Sequence, residues 1–396
     1  MISVDEAVAR IVAAFTPLAH ETVAIGDAAG RVLAEDAIAL SSQPPSAVSS
    51  MDGYALRAAD AAHAGSRLRV IGAAPAGHPF AGKVGAGEAV RIFTGGVVPD
   101  GADTIVIQED ASASGEQVTL NVAAAAGRHI RIAGLDFKQG EALGVTGQRL
   151  SARDLSLIAA GDVSHVKVRR RPRVVFAATG DELSLPGGRR KPGGIVASSG
   201  YALAAMIERW GGDAIDLGIL PDTSQAVASI ADKATDADLI VTLGGASVGD
   251  HDLVQKALGP KGFELDFWKI AMRPGKPLIF GKLGKVPLLG LPGNPVSTLV
   301  CAMLFLRPAI SAMLGTKDEK EMATAKLSGG LKENDGRQDY VRARVEMKNG
   351  ERFVEPFAVQ DSSMLSVFAR ADALIVRMPN APAAKAGDAV SVLFLE

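Results

Sequence analysis

The sequence predicts a multidomain α/β plus β protein. Its parts are a doubly wound, mainly parallel sheet domain, a discontinuous N-terminal body, an inserted small β domain and a C-terminal small β domain. Three observations predict this. The chain has 396 residues, more than one ordinary core supports. Residues 173–313 alternate short apolar strand-like runs with helical periodicity, the pattern of a parallel sheet covered on both faces. On either side of that stretch, short β-type runs are separated by Gly, Ala and Pro turns.

Composition narrows the functional classes. Hydrophobic residues make up 47% and charged residues 22%, a globular rather than disordered balance. A formal net charge of -2 offers no strong field for nucleic acid or a membrane surface. Aromatic residues are 5% and scattered, so no base-stacking platform is expected. The single cysteine, Cys301, forbids an internal disulfide, argues against a cysteine-held metal and fits a reducing cytoplasm. No signal-peptide pattern opens the chain, and Arg307-Pro308 is expected to stop the apolar run at 299–306 short of the roughly 18 residues a span needs.

Taken in order, residues 4–15 carry apolar positions at helical spacing, limited by Pro17. Residues 1–46 and 137–171 are expected to form one body interrupted by the β domain at 47–136. Within that insert, residues 68–71, 89–93, 104–107 and 118–122 read as strands. Ser151 is a good N-cap, with Asp154 three residues on. The α/β domain is expected at 172–315. It has strands at 173–178, 214–219, 239–243, 277–280 and 286–291. Helices follow at 201–210, after a cap at Asp222 or Thr223, at 250–258 and from Pro295. Residues 316–396 return to short alternating runs, at 340–345 and 373–377.

The chemistry-bearing segments sit at strand ends, where such sheets bind ligands. Leu239-Ile-Val-Thr-Leu-Gly-Gly-Ala-Ser-Val-Gly-Asp-His-Asp252 runs from a strand into a glycine turn bearing Ser247 and two carboxylates. Gly244 and Gly245 let backbone N–H groups approach a phosphate, beside an acid able to hold a cation. The bland alternative is a helix-entry loop with an aspartate cap. His251 is given no role. Thr179-Gly-Asp-Glu182 suits phosphate and divalent-cation contact through oxygen, although by itself an acidic turn is the commoner explanation. Lys269, Arg273 and Lys276 surround a Pro-Gly turn and suit an oxyanion, against a merely solvated basic loop. Pro292-Gly-Asn294 turns straight into a helix containing Ser297, and its free N–H groups could hold an anion. Gly245-Ala-Ser-Val-Gly249 spells the nucleophile elbow of α/β-hydrolases, but the last histidine lies only four residues on. The hydrolase order of Ser before His at long range is therefore unavailable. Walker, dinucleotide-binding and HExxH patterns are absent from the sequence.

The ordered set of Pro44-Pro-Ser46, Met51-Asp-Gly-Tyr-Ala55, Thr94-Gly, Thr179-Gly-Asp-Glu-Leu183, the Gly244 loop, Pro274-Gly-Lys-Pro277, Leu291-Pro-Gly-Asn-Pro-Val-Ser297 and Gln360-Asp-Ser-Ser363 resembles the molybdopterin molybdenumtransferase family. That family includes the C-terminal domain of gephyrin. The resemblance spans nearly the whole chain. It implies insertion of molybdenum from molybdate into adenylylated molybdopterin with release of AMP, assisted by a divalent cation such as Mg2+. It places the acids on Asp52, Asp136, Glu182, Asp222 and Asp252, the threonine on Thr94, and the cations on Lys269, Arg273, Lys276 and Arg342. Within the loop pattern it favours Asp252 over Asp250. Glu182 and Asp252 are the expected metal ligands. The resemblance further implies an elongated homodimer, with Asp52 and Thr94 reaching into the cleft from one subunit or its partner. A molybdopterin adenylyltransferase and recipient molybdoenzymes are the implied partners, without nucleic acid or membrane. Two departures stand out: the family's Asp-Ser/Thr-Asn stretch reads Ala197-Ser198-Ser199, and its Glu before Asp136 is Leu135. Two rival readings remain, a non-catalytic cofactor-binding scaffold and a related adenylyltransferase. The β domains argue against the second.

Overall fold

The computed structural model describes residues 1–245, 253–318 and 320–395. The chain divides into two compact units, Met1–Glu21 with Arg169–Glu396, and Thr22–Val168. Each is described by itself.

In Thr22–Val168, alternating side chains build a six-stranded sheet in the order Thr104–Ile107, Gly53–Leu56, Glu88–Ile92, Arg67–Ala74, Gln117–Leu120, Ala111–Ser114. Its period of two divides the burial: Tyr54, Leu56 and Val106 enter one core, and Ala55, Val90 and Ile105 the other. Residues before and after this sheet share a further core of Leu33, Phe137, Leu150, Ile158 and Val168, so the chain leaves and re-enters one body. Helix Ala152–Ala160 begins as its sequence predicts. The Ser151 side chain accepts from the Asp154 N–H, and the Asp154 carboxylate accepts from the Ser151 N–H.

The other unit carries a six-stranded sheet in the order Asp213–Leu220, Arg173–Thr179, Leu239–Leu243, Val286–Leu291, Pro277–Leu283, Phe263–Lys269. The first four strands are parallel and the last two antiparallel. Leu239–Leu243 is buried throughout, as a central parallel strand must be. Phe263–Lys269 has no counterpart among the predicted strands. It is an edge strand on which only Phe267 is buried, so its apolar signal is weak. Thr223, not Asp222, caps helix Ser224–Lys233 by accepting from the Ala226 N–H at 3.2 Å.

Two expectations are corrected here. Helix Val4–Ala13, grouped above with the body at 137–171, lies in the α/β unit, where it packs against helix Arg307–Leu314. Its buried stripe is Val4, Ala7 and Ile11, and Leu18 donates its N–H to the Met313 carbonyl at 2.8 Å. Nor does Arg307-Pro308 end the apolar run. Pro295–Leu314 is one continuous helical path, long and apolar enough to cross a membrane, with 94% of its apolar window buried inside the fold. A π-helical stretch at Ala302–Leu306 precedes Pro308 and shifts the hydrogen-bond register that its missing N–H would break. Arg307 is buried and donates to Asp318 at 2.8 Å.

The C-terminal residues form a closed β-barrel. Gln338–Lys348 pairs with both Glu351–Pro356 and Ala373–Arg377, and the ring closes through Met322–Leu327 and Ala389–Phe394. Closure leaves this small domain without open edges.

Candidate active site

Strands Arg173–Thr179 and Leu239–Leu243 end side by side, the first running into the turn at Gly180 and the second into Gly244-Gly245. The resulting cavity of about 950 Å³ opens beyond the carboxyl ends of the parallel strands. Thr179, Glu182, Asp222, Gly244, Gly245, Pro292 and Asn294 all line it.

The glycines are required by geometry. Gly244 has φ +94°, and a Cβ there would meet the Thr179 carbonyl oxygen at 2.9 Å; Gly245 has φ +70°. Gly244→Ala is therefore expected to destabilise the fold by about 1–3 kcal/mol. Urea unfolding measures this, and a value near zero would show that the loop relaxes. The Thr179 hydroxyl is buried beneath these glycines without a hydrogen-bond partner among the described residues.

Acid is concentrated at this mouth. Asp181 Oδ1 accepts from the Asp222 N–H at 3.3 Å. Burial, with the nearby charges of Glu182 and Asp181, raises the Asp222 carboxyl above its ordinary range. Oxygen donors under mutual repulsion suit a hard divalent cation. Among the described residues no cluster of three or more His, Cys, Asp or Glu forms a ready metal site. Asp252, the other expected ligand, lies outside the described residues, as do Ser247, Asp250 and His251.

The basic residues distribute differently from the expectation. Arg273 and Arg342 line a separate cavity of about 630 Å³ against the barrel. Arg273 is largely committed within the fold. It donates to Asp339 through Nε at 3.1 Å and also through Nη2, and approaches Asp335 at 3.9 Å. Arg342 is 1% exposed, and its Nε and Nη1 have no hydrogen-bond partner among the described residues. Burial lowers its pKa. Lys269 stacks its ammonium 3.7 Å from the Trp268 ring centroid. Lys276 is exposed, and neither lysine lines these two cavities. Ser297, expected at the ligand, is 4% exposed inside helix Pro295–Cys301 and is not among the lining residues. The segment with Gln360 on the second cavity and Ser363 on the first connects the two, and the Val296 N–H donates to the Ser362 carbonyl at 3.0 Å.

Sequence reasoning passed over Lys256 and Ser363 as lining groups. Lys256 lies in helix Leu253–Leu258.

Asp52, Thr94 and Asp136 belong to the Thr22–Val168 unit. Asp52 Oδ1 accepts from the Thr94 N–H at 2.7 Å and from its hydroxyl at 2.8 Å. These two bonds hold the Asp52 carboxyl below the usual carboxylate range. Asp136 is exposed, with its N–H donated to the Gln43 carbonyl at 2.9 Å.

A cavity beyond a parallel sheet, built from glycine loops and paired acids and joined to a barrel with a buried guanidinium that is partly unpaired among the described residues, suits a protein that handles an anionic ligand. Three family models match in sequence: MoeA N-terminal region (domain I and II) over residues 2–161, a probable molybdopterin binding domain over 176–312, and MoeA C-terminal region (domain IV) over 324–395. The chain is 32% identical to a molybdopterin molybdenumtransferase of Haemophilus influenzae, covering 99% of this chain and 98% of that protein. It is 31% identical to one of Bacillus subtilis, covering 100% and 94%. A solved molybdopterin biosynthesis MoeA protein of Pyrococcus horikoshii superimposes with a TM-score of 0.88 at 30% identity, covering 100% of this chain and 99% of that one. The chain belongs to the molybdopterin molybdenumtransferase family, a family of transferases.

Proposed function

We propose that this protein inserts molybdenum from molybdate into adenylylated molybdopterin and releases AMP. The observation that carries this is the single cavity that gathers Glu182, Asp222, the Gly244-Gly245 turn and the Pro292–Asn294 loop. The pterin end of the substrate lies along the strand-end loops. Backbone N–H groups and the Thr179 hydroxyl hold its phosphates. Glu182, with Asp252, holds Mg2+, which offsets charge on the pyrophosphate link. Arg342 holds the molybdate oxyanion through its unpaired donors. Asp52 and Thr94, from this subunit or its partner, supply a further carboxylate and hydroxyl. Exposed Ile38, Leu40, Ile132, Leu135 and Val145 in the Thr22–Val168 unit supply apolar surface for a homodimer. The protein works in the cytoplasm, receiving substrate from a molybdopterin adenylyltransferase and passing product to molybdoenzymes.

The test supplies purified protein with adenylylated molybdopterin and molybdate and scores AMP and activation of an apo-molybdoenzyme. AMP release that depends on magnesium and stops on chelation is the expected result. Binding without AMP release would mark a scaffold instead. Glu182→Gln is expected to slow AMP release at least about a hundredfold, because a neutral amide no longer neutralises a cation. Unchanged release would remove Glu182 from the site.

A further inference from the structure

One segment on the cavity wall has no part in the chemistry above. Strands Leu183–Ser184 and Ile195–Val196 pair in parallel, and Leu183, Ile195 and Val196 line the 950 Å³ cavity. The ten residues joining them, 185–194, read Leu-Pro-Gly-Gly-Arg-Arg-Lys-Pro-Gly-Gly. Two matched turns bracket the basic triplet. In the first, the Gly188 N–H donates to the Leu185 carbonyl at 3.0 Å, with Pro186 second and Gly187 third at φ 77°. In the second, the Gly194 N–H donates to the Lys191 carbonyl at 2.9 Å, with Pro192 second and Gly193 third at φ 76°. Proline followed by a positive-φ glycine is the signature of a type II turn. Both turns set their backbone in advance, so little order has to be gained when the arm is used.

The arm is also anchored to the acid loop. The Ile195 N–H donates to the Glu182 carbonyl at 2.8 Å, the Ala197 N–H to the Ser184 carbonyl at 2.9 Å, and Lys191 Nζ to the Asp181 carbonyl at 3.2 Å. Lys191 is thus engaged in holding the arm. Arg189 and Arg190 are exposed and make no ion pair or side-chain hydrogen bond among the described residues. The described lining of the cavity carries two acids, Glu182 and Asp222, against one cation, Lys256. A ligand bearing phosphates that approaches these acids gains from positive charge near the acid loop, in addition to any bound cation. Ala197, Ser198 and Ser199 line the same wall and carry no charge.

We propose that this arm is a phosphate-recognition element, with Arg189 and Arg190 gripping the substrate's phosphates as it enters. Planar guanidinium forks suit phosphate oxygens, and charge at a rim acts on encounter and affinity. The role is one of binding, remote from the reacting atoms, and it rests on the transferase reading given above for its substrate.

The test compares wild type, an Arg189→Ser/Arg190→Ser variant and an Arg189→Lys/Arg190→Lys variant. Dissociation constants for adenylylated molybdopterin are read from pterin fluorescence at low and high ionic strength, and KM and kcat from AMP release. The serine variant is expected to raise both Kd and KM about tenfold at low salt, with the effect in KM rather than kcat and a shallower salt dependence. The lysine variant is expected to recover most of the affinity. Equal Kd and equal salt dependence in wild type and serine variant would overturn the proposal and leave a solvated charge run. Wild-type protein that binds the substrate but releases no AMP overturns the transferase reading alone, and the Kd comparison still decides the arm.

Discussion

Asp52→Ala is expected to lower molybdenum insertion at least about a hundredfold, the loss typical when a charged group aimed at a reacting centre is removed, while the unfolding midpoint stays close to that of wild type. The molecule contains its own control. Asp36 accepts from the Thr146 N–H at 2.7 Å and from its hydroxyl at 2.9 Å, the same arrangement that joins Asp52 to Thr94. In each case the two bonds hold the carboxyl below its ordinary range. Asp36→Ala therefore removes the same bonds from the same unit at a position with no assigned chemistry. Full insertion activity in Asp36→Ala together with its loss in Asp52→Ala would separate function from loop support. Equal activity in both would return Asp52 to the role of a turn residue. The pH profile adds a second check. A depressed carboxyl contributes stability that is present above its unfolded pKa and lost as pH falls through the folded one, so Asp52 stays ionised through mildly acid conditions. Asp222 is shifted the other way: its ionisation opposes folding, and it takes up a proton first as pH falls. The acid limb of AMP release is thus expected to follow Asp222 rather than Asp52.

Residues whose signals are local were legible in the sequence. Strands Leu239–Leu243, Val286–Leu291, Thr104–Ile107 and Ala373–Arg377 lie where their apolar runs begin and end, because burial on one or both faces writes itself into consecutive residues. The Ser151 cap is local in the same sense. What depends on distant partners was not legible. The edge strand Phe263–Lys269 is defined by its pairing with Pro277–Leu283, not by its own composition. Barrel closure depends on Gln338–Lys348 finding two partners at once. The commitment of Arg273 to Asp339 joins residues 66 apart in the chain. The motif loops were visible one at a time, but only the fold shows that Arg273 and Arg342 line one of the two cavities while Lys269 and Lys276 line neither.

Arg342→Met is expected to make the protein more stable and nearly unable to use molybdate. Arg342 is among the largest fully buried side chains, and its Nε and Nη1 find no partner among the described residues. A buried donor left unsatisfied costs about 1–3 kcal/mol, and an apolar side chain of similar length can replace a buried charge at a gain. The barrel keeps this cost although the alternate positions of the same strand, Val341, Ala343 and Val345, face an ordinary apolar core. Gln360 does not relieve it, because its amide serves the Arg342 backbone, accepting from the N–H at 2.9 Å and donating to the carbonyl at 3.0 Å. Nε and Nη1 are thus held in place unpaired among the described residues, with the Asp361 charge nearby, a state that suits a group kept for an incoming tetrahedral dianion. Two charge-assisted bonds at about 1.5–3 kcal/mol each predict a fall of at least about a hundredfold in the molybdate-dependent kcat/KM. Binding of adenylylated molybdopterin, measured without molybdate, should hardly change. Thermal unfolding and molybdate titration on one preparation decide the matter. A variant that loses stability would show that Arg342 is satisfied within the fold. A more stable variant with unchanged use of molybdate would move the oxyanion site elsewhere.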